Sequence, residues 1–214
     1  MKSKIQSLKN GNKKTVIKKL FLTAAVAVSS VTFAQQFGAK AGMNVSTISD
    51  EGFDDTKSKV GYYAGVFMNV PVSESFSIQP EVLYNNLGSK VSSTVSGTTY
   101  SSTLNLDYVA VPVMFQYKAT PQFYLEAGPE FGFLVNAKQK FDNGSSSIVT
   151  ELDKEDFNSF NMGVGLGLGF DISKNVGLNA RYVAGFSDIT KESGPAADAK
   201  NKNNAFQVGL NIKF

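Results

Sequence analysis

From about residue 36 onward, apolar side chains recur at every second position, and the pattern returns eight times along the chain. That is the period of a strand with one apolar face; a helix would need them every third or fourth position. The segments fall near residues 36–48, 60–70, 76–87, 104–117, 122–136, 157–172 and 176–189, with a last run through Phe206 to Phe214. The clearest sets Phe160, Met162, Val164, Leu166, Leu168 and Phe170 against Asn161, Gly163, Gly165, Gly167, Gly169 and Asp171. The least clear, Tyr108 to Phe115, is apolar on both faces, and here we place Val109, Val111, Val113, Phe115 and Tyr117 outward.

The connections alternate as regularly as the faces. Pro71 to Ser75, Lys118 to Pro121 and Ser173 to Asn175 are tight turns, whereas about 49–59, 88–103, 137–156 and 190–203 are long, polar and rich in Ser, Thr, Gly, Asn and Asp. An even number of strands joined by alternately short and long connections brings both ends of the strand array to the short-turn side. The expected fold is all-β, an eight-stranded antiparallel up-and-down transmembrane β-barrel. The stretch Ser89 to Ser102, full of hydroxyl and β-branched residues, is suited to extending the second hairpin above the membrane and offering an edge to a partner.

The two faces decide against a soluble carrier with an apolar cavity. The polar face combines many glycines with Lys40, Glu81, Glu126, Glu130, Arg181 and Lys213, a filling suited to a narrow lumen sealed from lipid. The apolar face supplies about five outward residues per strand, roughly the height of a membrane band. Tyr62, Tyr84, Tyr117, Phe123, Phe37 and Phe214 sit where interfacial aromatic girdles belong.

The first 34 residues read as a separate unit. Seven lysines and no acid precede residue 35, an apolar run Leu20 to Val28 follows the basic start, and Thr32-Phe33-Ala34 ends in the small-x-small pattern of a cleaved secretory signal. The apolar run is shorter than the roughly 20 residues of a spanning helix. The expected organisation is therefore a signal peptide at 1–34 and a barrel at 35–214, exported to the outer membrane of a Gram-negative cell. Without the leader the chain holds 14 basic and 18 acidic residues, a net charge of −4, so the basic balance belongs to the leader and no nucleic-acid partner is implied. The absence of cysteine leaves burial and hydrogen bonding to hold the fold.

Phe206, Val208, Leu210, Ile212 and Phe214 alternate to the end of the chain and look like the signal read by the barrel-insertion machinery. Ser77-Ile78-Gln79-Pro80-Glu81-Val82-Leu83-Tyr84, Asp107 to Pro112, Phe123-Tyr124-Leu125-Glu126-Ala127-Gly128-Pro129, Asn161 to Phe170 and Ala180-Arg181-Tyr182 resemble the PorT-like family of small outer-membrane barrel domains. The resemblance spans nearly all of residues 35–214 and implies barrel architecture and outer-membrane residence. It carries no assigned activity, and no residue points to the branch tied to a secretion system.

Lys40, Glu81, Glu126 and Arg181 each lie four to six residues from the short-turn end of their strands, so they are expected to meet at one level of the lumen, with Glu130 in the same charge network. Arg181, the sole arginine, is suited to holding Glu81 and Glu126 through paired hydrogen bonds as a buried plug. With no histidine and no cysteine, the usual general base and nucleophile are missing. Glu126 and Glu130, four residues apart on one strand, are about 13 Å apart, too far for paired-carboxylate hydrolysis. The acids Asp50, Glu51, Asp54 and Asp55, and Glu151, Asp153, Glu155 and Asp156, match no calcium loop and read as solvated charge, so no catalytic residue, metal or cofactor is expected. The expected partners are outer-membrane lipid, the insertion machinery and an envelope or surface protein. The expected function is structural or surface-interacting, with a narrow gated channel or an accessory subunit of a secretion system as the alternatives.

Overall fold

Among the described residues the two-residue period becomes nine antiparallel strands: β1 (Gln36–Ser49), β2 (Lys57–Pro71), β3 (Phe76–Val95), β4 (Thr98–Lys118), β5 (Phe123–Asp142), β6 (Ser147–Glu151), β7 (Phe160–Asp171), β8 (Val176–Gly185) and β9 (Lys202–Lys213). The computed structural model describes residues 35–49, 57–96, 98–154, 157–189 and 201–214. The expected signal peptide lies outside these residues, as do Asp50, Glu51, Asp54, Asp55, Glu155 and Asp156 of the acidic loops.

Eight strands form a ring. Each of β1 to β5 pairs with the next, β5 continues to β7, and β7, β8 and β9 lead back to β1. The seam runs from Gly38↔Lys213 to Ser49↔Lys202. Closure gives every strand of the ring two neighbours, the condition under which strands cross lipid. Among the described residues no helix is long and apolar enough to cross.

The three short turns repeat one device. Ser73, Thr120 and Ser173 each accept, at their hydroxyl oxygen, a hydrogen bond from the backbone N–H three residues on, at Phe76 (3.1 Å), Phe123 (2.9 Å) and Val176 (3.1 Å). The same hydroxyl residues as Ser and Thr are the ones favoured in such turns.

Three strands overrun the apolar band. β3, β4 and β5 are 20, 21 and 20 residues long, against 12 in β7 and 10 in β8. On the outer wall the cross-strand rows Phe76–Tyr117, Ile78–Phe115, Pro80–Val113 and Tyr84–Val109 are apolar or aromatic, and the next outward row, Asn86–Asp107–Asn136, is polar. Beyond that row residues 87–95 and 98–106 continue as a hairpin where the sequence reads as a polar connection with room for a longer hairpin. The connection expected at 137–156 is likewise partly ordered: β5 runs to Asp142 and folds back as β6, which pairs with β5 alone. Ile148, Val149 and Thr150 are β-branched residues that favour this five-residue strand.

Inside, glycines make room for large neighbours. A Cβ on Gly169 would sit 2.1 Å from Cζ of the buried Tyr124 ring. Gly169→Val should therefore overpack the lumen and lower stability by about 1–3 kcal/mol. The readout is the temperature at which the folded band of the heat-modifiable gel shift disappears, with outward-facing Leu168→Val as the near-neutral control.

Candidate functional site

Strand alternation alone turns Lys40, Glu81, Glu126 and Arg181 inward, and the register brings them to one layer. Lys40 lies on β1, Glu81 on β3, Glu126 on β5 and Arg181 on β8, and all four are almost completely buried. The Arg181 guanidinium donates from Nη1 to Glu81 Oε2 (2.9 Å), from Nη2 to Glu81 Oε1 (2.8 Å) and from Nε to Glu126 Oε1 (2.8 Å). Lys40 Nζ donates to Glu81 Oε1 at 3.0 Å. Two cations thus face two carboxylates in a water-poor lumen, where geometry this complete is required to offset desolvation.

Amides finish the carboxylates. Gln79 Nε2 donates to Glu81 Oε1 (2.8 Å) and Gln116 Nε2 to Glu126 Oε2 (3.0 Å). Toward the short-turn end, Asn69 Nδ2 reaches Ser77 Oγ, Gln79 Oε1 and Gln116 Oε1 at 3.1, 3.1 and 2.8 Å. Across the lumen a second chain runs from Tyr63 OH to Asn179, from Asn179 to Asn211 and from Asn211 to Tyr124 OH, each step 2.9 Å. These amides and phenols were not singled out from the sequence. The signal was their place on the polar side of the alternation, level with the charges.

Glu130 is not bonded into this layer. It is buried on β5, but no ion pair to it occurs among the described residues, and its Oε2 has no hydrogen-bond partner there. Its neighbour across the ladder is Gly163, whereas Glu126 lies opposite Gly167, the partner of Arg181. Four residues of strand rise therefore separate it from the charged layer. Lys213, also on the inward face, pairs with Asp171 at the short-turn mouth.

At the opposite mouth the lumen is closed by apolar packing that the sequence reading did not anticipate. Ile48, Leu87, Leu106, Tyr108, Ala137, Ile189 and Ala205 form a buried cluster, with Leu134, Leu152 and Phe157 packed against it. Leu87 and Leu106 face each other across β3 and β4; a smaller apolar cluster of Tyr63, Leu83 and Ala110 lies elsewhere on the inner face. The site is thus a filled core with a charged layer and an apolar cap. Among the described residues no group of three or more His, Cys, Asp or Glu gathers in a way that could hold a metal ion.

The outer membrane protein beta-barrel domain family matches residues 33–191. The chain belongs to this family. No curated protein matches it in sequence. Among solved structures it is similar to the attachment invasion locus protein Ail of Yersinia pestis, at 14% identity and a TM-score of 0.51, over 85% of this chain and 100% of that one. Neisserial surface protein A aligns over the same shares at 12% identity and a TM-score of 0.48. Membership in this family places the ring in the outer membrane, and the likeness to Ail shows a shared fold. The family match stops before β9, which closes this member's ring.

Removing the guanidinium should expose how the charged layer is balanced. Arg181→Met leaves the buried Glu126 without a cation and Glu81 with Lys40 alone, and is expected to cost about 3–5 kcal/mol. Arg181→Met with Glu126→Gln restores the balance by leaving the Lys40–Glu81 pair, and should recover roughly half of that loss. The chain has no tryptophan, so the folded fraction is best read from gel mobility across a urea series in lipid vesicles.

Proposed function

We propose that this barrel is a non-enzymatic outer-membrane protein with a sealed body, and that it presents its projecting strands to an envelope or surface protein. One observation carries the reading. Beyond the last apolar row, β3 to β6 form a blade; the face that continues the inner side of the wall carries exposed Val91, Tyr100, Phe141 and Ile148, and Val149 is exposed on the opposite face. Val91, Tyr100, Phe141 and Ile148 line a groove of about 300 Å³. Large apolar side chains held clear of lipid and clustered around a groove are a feature of protein-binding surfaces.

The blade also offers backbone. β6 pairs only with β5, so its far edge is open among the described residues, and an extended segment of a partner can add to it. The short edge carries Glu151, paired at 3.5 Å with Lys138, a charge of the kind that limits indiscriminate pairing.

Three further assignments belong to this reading. Residues 1–34 act as a removed export signal. The outward row of β9, namely Phe206, Val208, Leu210 and Ile212 with Phe214 beyond it, serves recognition by the barrel-insertion machinery, and each of these side chains is exposed on the lipid side. The Gln79-Pro80-Glu81 and Leu125-Glu126-Ala127-Gly128-Pro129 runs support a PorT-like position within the family.

A photo-crosslinking amino acid at Tyr100 or Ile148 in living cells tests the blade, with Tyr117 on the apolar band as the comparison. A discrete protein adduct is expected at the two blade positions, absent from Tyr117 and lost when Phe141→Asp is added. Adducts at all three positions, or at none, would contradict the proposal.

A further inference from the structure

Between the charged residues and the apolar cap the lumen holds one more layer, which neither the seal nor the blade uses. Four residues up each strand from the charged layer, Lys40 leads to Asn44 on β1, Glu81 to Asn85 on β3, Glu126 to Glu130 on β5 and Arg181 to Gly185 on β8. All four strands run away from the short-turn end, so equal counts from one level reach a second level, and an even count keeps the inward facing. Asn44, Asn85 and Glu130 are 1%, 0% and 8% exposed. The ladder adds two glycines, Gly61 opposite Asn44 and Gly163 between Glu130 and Gly185. Three positions of the layer therefore carry no side chain.

The polar groups of this layer do not match one another. Asn44 Nδ2 donates to Tyr62 O at 3.2 Å, and its Oδ1 has no hydrogen-bond partner among the described residues. Asn85 Oδ1 accepts from Gln207 Nε2 across the lumen at 3.4 Å, and its Nδ2 is likewise without a partner there, as is Glu130 Oε2. In the eight-membered ring β5 stands four strands from β1 in either direction, so Glu130 and Asn44 project toward each other.

Charge is unmatched as well. Lys40 and Arg181 balance Glu81 and Glu126 below, Lys213 pairs with Asp171 at the short-turn mouth, and the members of the apolar cap above are uncharged. Lys59, nearer the cap, donates to Asn86 Oδ1 and Leu87 O instead. Glu130 is thus a third carboxylate beside a layer that holds two cations.

We propose that this layer binds a small monovalent cation together with part of its water shell. A carboxylate in a water-poor interior needs a countercharge, and one negative charge calls for one positive charge. Glu130 Oε2 and Asn44 Oδ1 are hard oxygen donors suited to such an ion, whereas a divalent ion favours several carboxylates. Asn85 Nδ2 is a hydrogen-bond donor, so it suits a water oxygen in the shell and not the ion itself. A proton on Glu130 would neutralise the carboxyl but leave Asn44 Oδ1, on the opposite wall, unmatched.

The test is retention of labelled sodium by the whole chain, folded in detergent in the presence of the ion and then passed through a desalting column. Labelled rubidium is the second probe, in place of potassium. The wild type should keep about one ion per chain of at least one of the two, and Glu130→Gln at least about ten-fold less with its heat-modifiable gel shift intact. Asn44→Ala, which leaves the carboxylate in place, should keep less than the wild type, and Glu151→Gln on the blade should match it. If the folded wild type keeps neither ion, or Glu130→Gln keeps as much as the wild type, the proposal is overturned. Should Glu130→Gln not fold, Asn44→Ala decides, and retention equal to the wild type overturns it. An infrared carbonyl band of a protonated carboxyl, present in the wild type and absent from Glu130→Gln, would overturn it too, since a proton would then be the countercharge.

Discussion

In hydrocarbon no backbone N–H or C=O can be left without a partner, and the rest of this molecule follows from that demand. The chain meets it with the β1–β9 seam, which removes the two edges an open sheet would present. Ring size then fixes the interior. Eight strands enclose a lumen just wide enough for side chains to fill, so every inward position must be small or find a partner. Glycines face the bulky Tyr63 and Tyr124, and the charged residues gather where Arg181 can reach two carboxylates at once.

The lumen is closed in layers of different chemistry. Charge lies near the middle, neutral amides toward the short turns and aliphatic packing toward the long connections. The charged layer makes the inner face specific rather than simply stable, because a displaced strand would strand a buried ion. The apolar cap does a different job, tying Leu152, Phe157 and Ile189 from the long connections to Ile48 on β1, Leu87 on β3 and Leu106 on β4. With the interior filled, the surface proposed to meet a partner is the blade beyond the apolar band.

Much of this was legible because strand alternation is local. Phe160 to Phe170 read cleanly, and even Tyr108 to Phe115, apolar on both sides, takes the facing expected of it, with Tyr108 and Met114 inside and Phe115 and Tyr117 outside. Counting residues from the short turns was enough to bring Lys40, Glu81, Glu126 and Arg181 to one level. The same arithmetic separates Glu130 from Glu126 by four residues of strand, and Glu130 accordingly makes no ion pair among the described residues. What the sequence did not reveal depends on non-local pairing. The apolar cap draws on several strands and connections, β6 exists only through its pairing with β5, and no alternation pattern announces the register slip in β2.

The central claim is that the ring is closed and its interior filled. Planar-bilayer recording of the membrane-extracted protein tests it most directly. The account predicts no stepwise current across the physiological voltage range at an insertion density confirmed by antibody labelling. Sustained, uniform conductance steps from the wild type would contradict it, because ions could then pass the layer in which Arg181 holds Glu81 and Glu126.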